Sequence, residues 1–84
     1  MFLMASLRYG EGKRAPMRVR NLSAGGLMAD CKARVRIDDE VEIELRGIDE
    51  LTGRVVWAHG GQVGVAFDEP IDPRDARKPV RAGR

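Results

Sequence analysis

Asn21, Ser23, Gly25 and Gly26 stand together in the stretch Asn21-Leu22-Ser23-Ala24-Gly25-Gly26, and no other stretch offers as much chemistry. Asn21 brings a donor and an acceptor, Ser23 a hydroxyl, and the two glycines let another group approach the backbone closely. Such a set can hold a polar ligand on a small ledge at the mouth of a barrel. It can equally close a tight connection, because Asn and Ser side chains bond back to their own backbone and Gly supplies positive φ. The two readings are compatible. Catalysis finds less support. His59, the single histidine, sits in a Gly-rich hairpin tip, and the lone Cys31 reads as a small apolar filler. Ser23 lacks the preceding glycine of a nucleophile elbow, and no Asp–His pair can be assigned to it. Gly10-Glu11-Gly12-Lys13 shares letters with a phosphate loop but lacks its full spacing and its Ser/Thr. The chain reads as a binding module and not as an enzyme.

The elements that must position these residues are strands. Phe2–Leu7 is an apolar run of strand length, and Tyr9-Gly10-Glu11-Gly12-Lys13 reads as a hairpin turn. In Ala15–Arg20, Met17 and Val19 point to one face and Arg18 and Arg20 to the other. Leu27–Ala29 continues as a short strand after the motif. Between Asp30 and Asp39 the chain is polar, although Cys31, Ala33, Val35 and Ile37 alternate as a short extended piece would. Glu40–Leu45 alternates most clearly, with Val41, Ile43 and Leu45 facing in and three glutamates facing water. Gly47–Glu50 reads as a turn. Leu51–Ala58 and Gln62–Phe67 form a last hairpin around His59-Gly60-Gly61. Alternation places Trp57 on the face of Val55, where apolar neighbours suggest a packing role. Asp72 and Pro73 suit the N-cap and first position of a short helix over Pro73–Lys78, which Pro79 stops.

Six strands with short connections and no long helix predict an all-β fold, a small six-stranded antiparallel β-barrel with a short C-terminal helical turn. The chain has 84 residues, room for one domain with a modest core. We expect residues 1–70 to form the barrel and 71–84 a basic tail. One cysteine excludes an internal disulfide, and no Cys/His spacing suits zinc. The apolar start is too short for a membrane span and lacks the basic region of a signal peptide. These features suit a reducing, cytoplasmic setting. The net charge is +2, but residues 1–36 are basic, 37–72 acidic and 73–84 basic again. The basic first third suits an anionic ligand, whereas the acidic middle repels nucleic acid. Nucleic-acid barrels interleave aromatics with Lys/Arg, and the strand carrying Arg18 and Arg20 has no aromatic.

The spacing Asn21-x-Ser23-x-x-Gly26 resembles the Asp/Asn-x-Ser-x-x-Gly signature of the PilZ family, small six-stranded barrels many of which bind the bacterial second messenger cyclic di-GMP. Gly53-Arg54-Val55-Val56-Trp57 and Gly61-Gln62-Val63-Gly64-Val65-Ala66-Phe67 resemble the last two strands of that family, in order and at the right distance. The likeness runs from about Leu3 to Phe67. It implies a signalling or adaptor module with Asn21, Ser23, Gly25 and Gly26 as ligand-binding residues. It also places an aromatic near Trp57 beside a guanine. Cyclic di-GMP is the implied ligand and a protein the alternative partner, with no other cofactor, no metal and no membrane.

One part of the family pattern is missing. An Arg-x-x-x-Arg motif, whose guanidiniums grip guanine edges and phosphates, precedes the first strand in the family. This sequence starts inside its first strand. Arg14-Ala15-Pro16-Met17-Arg18 has the right letters on the second strand, with its arginines about 13 Å apart, and is a decoy. Losing two bidentate guanine contacts removes about 2–6 kcal/mol. A micromolar binder would then fall to between tens of micromolar and weaker than millimolar. Nucleotide binding is therefore expected to be weak or absent, with Arg8, Lys13 and Arg14 as the available substitutes. The strand-like start fits both a domain that lost its clamp and a longer reading frame that begins upstream.

Overall fold

The computed structural model describes residues 3–45 and 48–74, with only the backbone of Asp49. Six strands follow one another: β1 (Leu3–Tyr9), β2 (Lys13–Leu22), β3 (Gly26–Asp30), β4 (Glu40–Leu45), β5 (Ile48–His59) and β6 (Gln62–Phe67). They close into an antiparallel barrel in the order β1-β2-β3-β6-β5-β4, with β4 pairing back onto β1. Closure leaves no unpaired edge, which a chain of this size has no helix to cover. Among the described residues no helix is long and apolar enough to cross a membrane.

Alternation decides which side chains fill the interior. Leu7, Met17, Ile43, Val55 and Val63 are fully buried, with Val19, Leu27, Ala29, Val41, Leu45 and Val65 around them. Ile43 stands opposite Leu7 on one side and Leu51 on the other, so β4 faces as its alternation predicts. The hairpins are tight where the glycines allow it. Gly10 and Gly12 carry positive φ between β1 and β2, and Gly60 and Gly61 do so between β5 and β6. The latter pair makes a two-residue turn of the kind that matches strand twist.

Three boundaries differ from the sequence reading. β2 runs on through Leu22, so Asn21 belongs to a strand. β5 begins at Ile48, which pairs with Leu45, so Ile48–Glu50 is strand where a turn was expected. The alternating piece after β3 is extended without ladder pairing. Cys31 is buried, and Ala33 and Val35 pack against the core, but Ile37 points to solvent. At the other end Pro73 and Arg74 begin a 3₁₀ turn, and the Asp72 carboxylate accepts from the Arg74 amide at 3.0 Å. The remainder of the expected helix lies outside the described residues.

Candidate functional site

Two β-bulges shape the wall formed by β2, β3, β6 and β5. In β2 the register slips between Val19 and Asn21, and in β5 between Val55 and Trp57. Each extra residue turns the following side chain to the opposite face. Val19 is buried, whereas Arg20 and Asn21 both point outward. Val55 is fully buried, whereas Val56 and Trp57 both point outward, Trp57 with 36% of its surface exposed. The expectation that Trp57 shares a face with Val55 is therefore wrong. A bulge carries no sign in residue type, and strict alternation cannot foresee it.

After the bulges, the register aligns one outward row across four strands. Asn21 pairs with Met28, Met28 with Gly64, and Gly64 with Trp57. The Trp57 indole lies over Gly64, where any Cβ would collide with the ring. The motif and the tryptophan thus end on one surface. They line a shallow groove of about 310 Å³ with Ser23, Gly25, Gly26, Leu27, Val56, Val65 and Ala66. All five residues singled out from the sequence, Asn21, Ser23, Gly25, Gly26 and Trp57, are brought together there. The groove runs from the barrel rim onto the outer wall, so the site is not confined to the mouth. Met28, Val56 and Gly64 were missed. A glycine inside the alternating β6 pattern was the available signal, because it marks a close approach.

Ser23 and the glycines do structural work here. The Ser23 amide donates to the Gly26 carbonyl at 2.9 Å, and its hydroxyl donates to the same oxygen at 3.2 Å. The Phe67 amide donates to the Gly25 carbonyl at 2.8 Å, and that of Ile71 to Ala24 at 2.9 Å. The turn is thereby tied to the end of β6 and the segment beyond it. Neither Gly25 nor Gly26 has positive φ, contrary to the expectation from turn chemistry. Gly26 is needed for another reason: a Cβ there would run into the Val65 carbonyl oxygen. At Gly25 a Cβ meets nothing within 4 Å.

The charges lie around the groove and not in it. Among the described residues that line it there is no Lys, Arg, Asp or Glu. Arg8 is held by Glu42 at 3.6 Å and Glu50 at 3.2 Å, and Arg14 by Glu44 at 2.9 Å. These pairs sit on β1, β2, β4 and β5, so the glutamate row of β4 is met by arginines. Arg8 and Arg14 cannot stand in for a nucleotide clamp in this arrangement, and Lys13 at the start of β2 does not line the groove. Beside the groove, Arg20 donates to Asp30 Oδ2 at 2.9 Å and Gln62 to Asp30 Oδ1 at 3.0 Å. The Gln62 and Arg20 hydrogen bonds hold the Asp30 carboxyl below the usual carboxylate range. Larger grooves of about 640 and 620 Å³ lie elsewhere around Met4 and Pro16. The motif groove is singled out by its chemistry, not its size.

The fold and this surface define a small ligand-binding barrel. The PilZ domain family model matches residues 3–82, and the chain belongs to that family. No curated protein matches the chain.

Replacing Gly64 with alanine tests the row directly. The new methyl displaces the indole, so the Trp57 emission maximum should shift to the red as the ring enters water. The cost in stability should stay near 1–2 kcal/mol because Trp57 is already partly exposed. An unchanged emission spectrum would show that the indole does not rest on Gly64.

Proposed function

We propose that the chain is a cytoplasmic signalling module of the cyclic di-GMP-binding type, not an enzyme, and that this 84-residue form binds the nucleotide weakly or not at all. The observation that carries the reading is the outward row Asn21–Met28–Gly64–Trp57, which sets an amide at one end and an indole at the other. Among the described residues no side-chain hydrogen bond engages the Asn21 amide, which leaves its donor and acceptor for a base edge or ribose. The indole supplies a stacking face. Weak binding follows from the uncharged lining and the small volume, since sites for small molecules span about 300–1,000 Å³. A dianionic ligand meets no guanidinium in this groove.

A second reading has its own support. Val56 and Trp57 are large, exposed and adjacent. Such a surface also suits a nucleotide-independent adaptor that works through protein contacts. Nucleic-acid binding is disfavoured by the acidic β4 wall and by the absence of stacking aromatics beside Arg18 and Arg20.

Calorimetric titration with cyclic di-GMP decides between the first two readings, run on this chain and on a version preceded by an Arg-x-x-x-Arg segment. The extended version should bind at least tenfold tighter, with Trp57 fluorescence quenched as the base stacks. In that version Asn21→Ala and Ser23→Ala should each weaken binding about three- to tenfold, the loss of one hydrogen bond. Ser23→Ala should cost the free protein only about 0.5 kcal/mol, because the Ser23 amide still closes the turn. Unchanged affinity in both variants would hand the function to the adaptor reading.

A further inference from the structure

The β2 bulge makes Arg20 and Asn21 successive outward residues, yet only Asn21 lines the groove. Arg20 turns the other way, toward a second outward row. Asp30 follows Met28 by two residues on β3, Gln62 precedes Gly64 by two on β6, and His59 follows Trp57 by two on β5. In register, Arg18 faces Asp30, Asp30 faces Gln62, and Gln62 faces His59. This polar row runs beside the groove floor, about 7 Å away along the strands. Asp30 is its hub. One carboxylate oxygen takes the Arg20 guanidinium at 2.9 Å and the other takes the Gln62 amide at 3.0 Å. Both oxygens are used, and the three residues come from the same three strands that carry Asn21, Met28 and Gly64.

We infer that Asp30 is a latch that holds the Arg20 guanidinium off the groove and so keeps the affinity of this surface for anionic ligands low. The inference rests on the reading of the groove as a site for a phosphate-bearing nucleotide and names what regulates it. Arg20 is the cation adjacent in sequence to the motif. Its side chain is longer than the single strand step to Asn21, so released from Asp30 it reaches a phosphate lying on the groove. The Arg20–Asp30 pair is partly exposed, 42% and 35% for the two side chains, and an exposed pair of this kind opens at little cost. Asp30 is in these terms a positioning residue. It touches no ligand and acts through Arg20.

The test is a double-mutant cycle over Asp30→Asn and Arg20→Ala, with Asp30→Ser as a second release variant should the amide hold Arg20 by a hydrogen bond. Two probes are titrated, cyclic di-GMP and inorganic pyrophosphate, followed by Trp57 fluorescence and the Asn21 side-chain amide signals in NMR. Melting temperatures are recorded alongside. Release of Arg20 should tighten binding about five- to tenfold, the effect of one charge-assisted hydrogen bond, and steepen its loss with added salt. Arg20→Ala should change affinity less than twofold in the natural chain and should abolish the gain in Asp30→Asn. If both release variants bind both probes no more tightly than the natural chain, the latch is overturned. A gain that survives Arg20→Ala also overturns it, because removing one negative charge would then suffice. A gain for pyrophosphate that needs Arg20, with no binding of cyclic di-GMP by any variant, supports the latch and sinks the nucleotide reading instead.

Discussion

Ile43→Asp will leave the chain unfolded at room temperature, while Glu42→Lys, its neighbour on the same strand, will fold and melt almost normally. Ile43 has no exposed surface, and its register partners Leu7 and Leu51 offer nothing to a carboxylate. Burying an unpaired charge there costs several kcal/mol whether it ionises or takes up a proton. A domain of this size has only about 4–12 kcal/mol to lose. Glu42 points outward at Arg8, which also has Glu50 at 3.2 Å, so reversing its charge loosens a solvated pair and costs about 0–1 kcal/mol. Circular dichroism during thermal melting measures both. If the two variants melt alike, β4 is one residue out of register and the barrel interior has been assigned to the wrong face.

The contrast between those two residues was legible in the sequence because β4 has one face on the core and one in water. Wherever that condition held, alternation found the strand and its facing, as for Met17 and Val19 or Val63 and Val65. It failed at Val56 and at Arg20, where one extra residue reverses the facing of everything that follows. Nothing in valine or arginine announces a bulge. The motif residues were legible as a group, since amide, hydroxyl and glycines crowd into six positions. The groove was not, because it exists only once Gly64 of β6 is laid between Met28 and Trp57. The arginines show the same limit. Composition counts Arg8 and Arg14 as free cations of a basic first third, and only the closure of β1 onto β4 reveals that glutamates hold them. Short-range chemistry can be read along a chain, whereas cross-strand partners need the register.

The two glycines of the motif should part company sharply. Gly25→Ala should fold with stability within about 0.5 kcal/mol of the natural chain, since the added methyl meets nothing within 4 Å and φ is not positive. Gly26→Val should cost several kcal/mol and can prevent folding altogether. Its Cβ would enter the Val65 carbonyl oxygen and press on the Val65 carbonyl carbon at 3.3 Å and Ala66 Cα at 3.4 Å. These are backbone atoms of β6, held on the far side by pairing of Val65 with Val55 and Ala66 with Arg54. They cannot swing aside as a side chain would, so relief requires β3 and β6 to separate. That separation removes the floor of the groove, and whatever fraction of Gly26→Val folds should have lost the Trp57 environment with it. Gly26→Ala supplies the folded comparison, with the same Cβ collision and no branch. It should lie between the other two in melting temperature and, in the version preceded by Arg-x-x-x-Arg, bind cyclic di-GMP more weakly than Gly25→Ala. Should Gly26→Ala melt with the natural chain, the close approach of β3 to β6 at this point is wrong. The invariant spacing from Asn21 to Gly26 would then owe nothing to packing, and Gly26 would have to be explained by contact with the ligand alone.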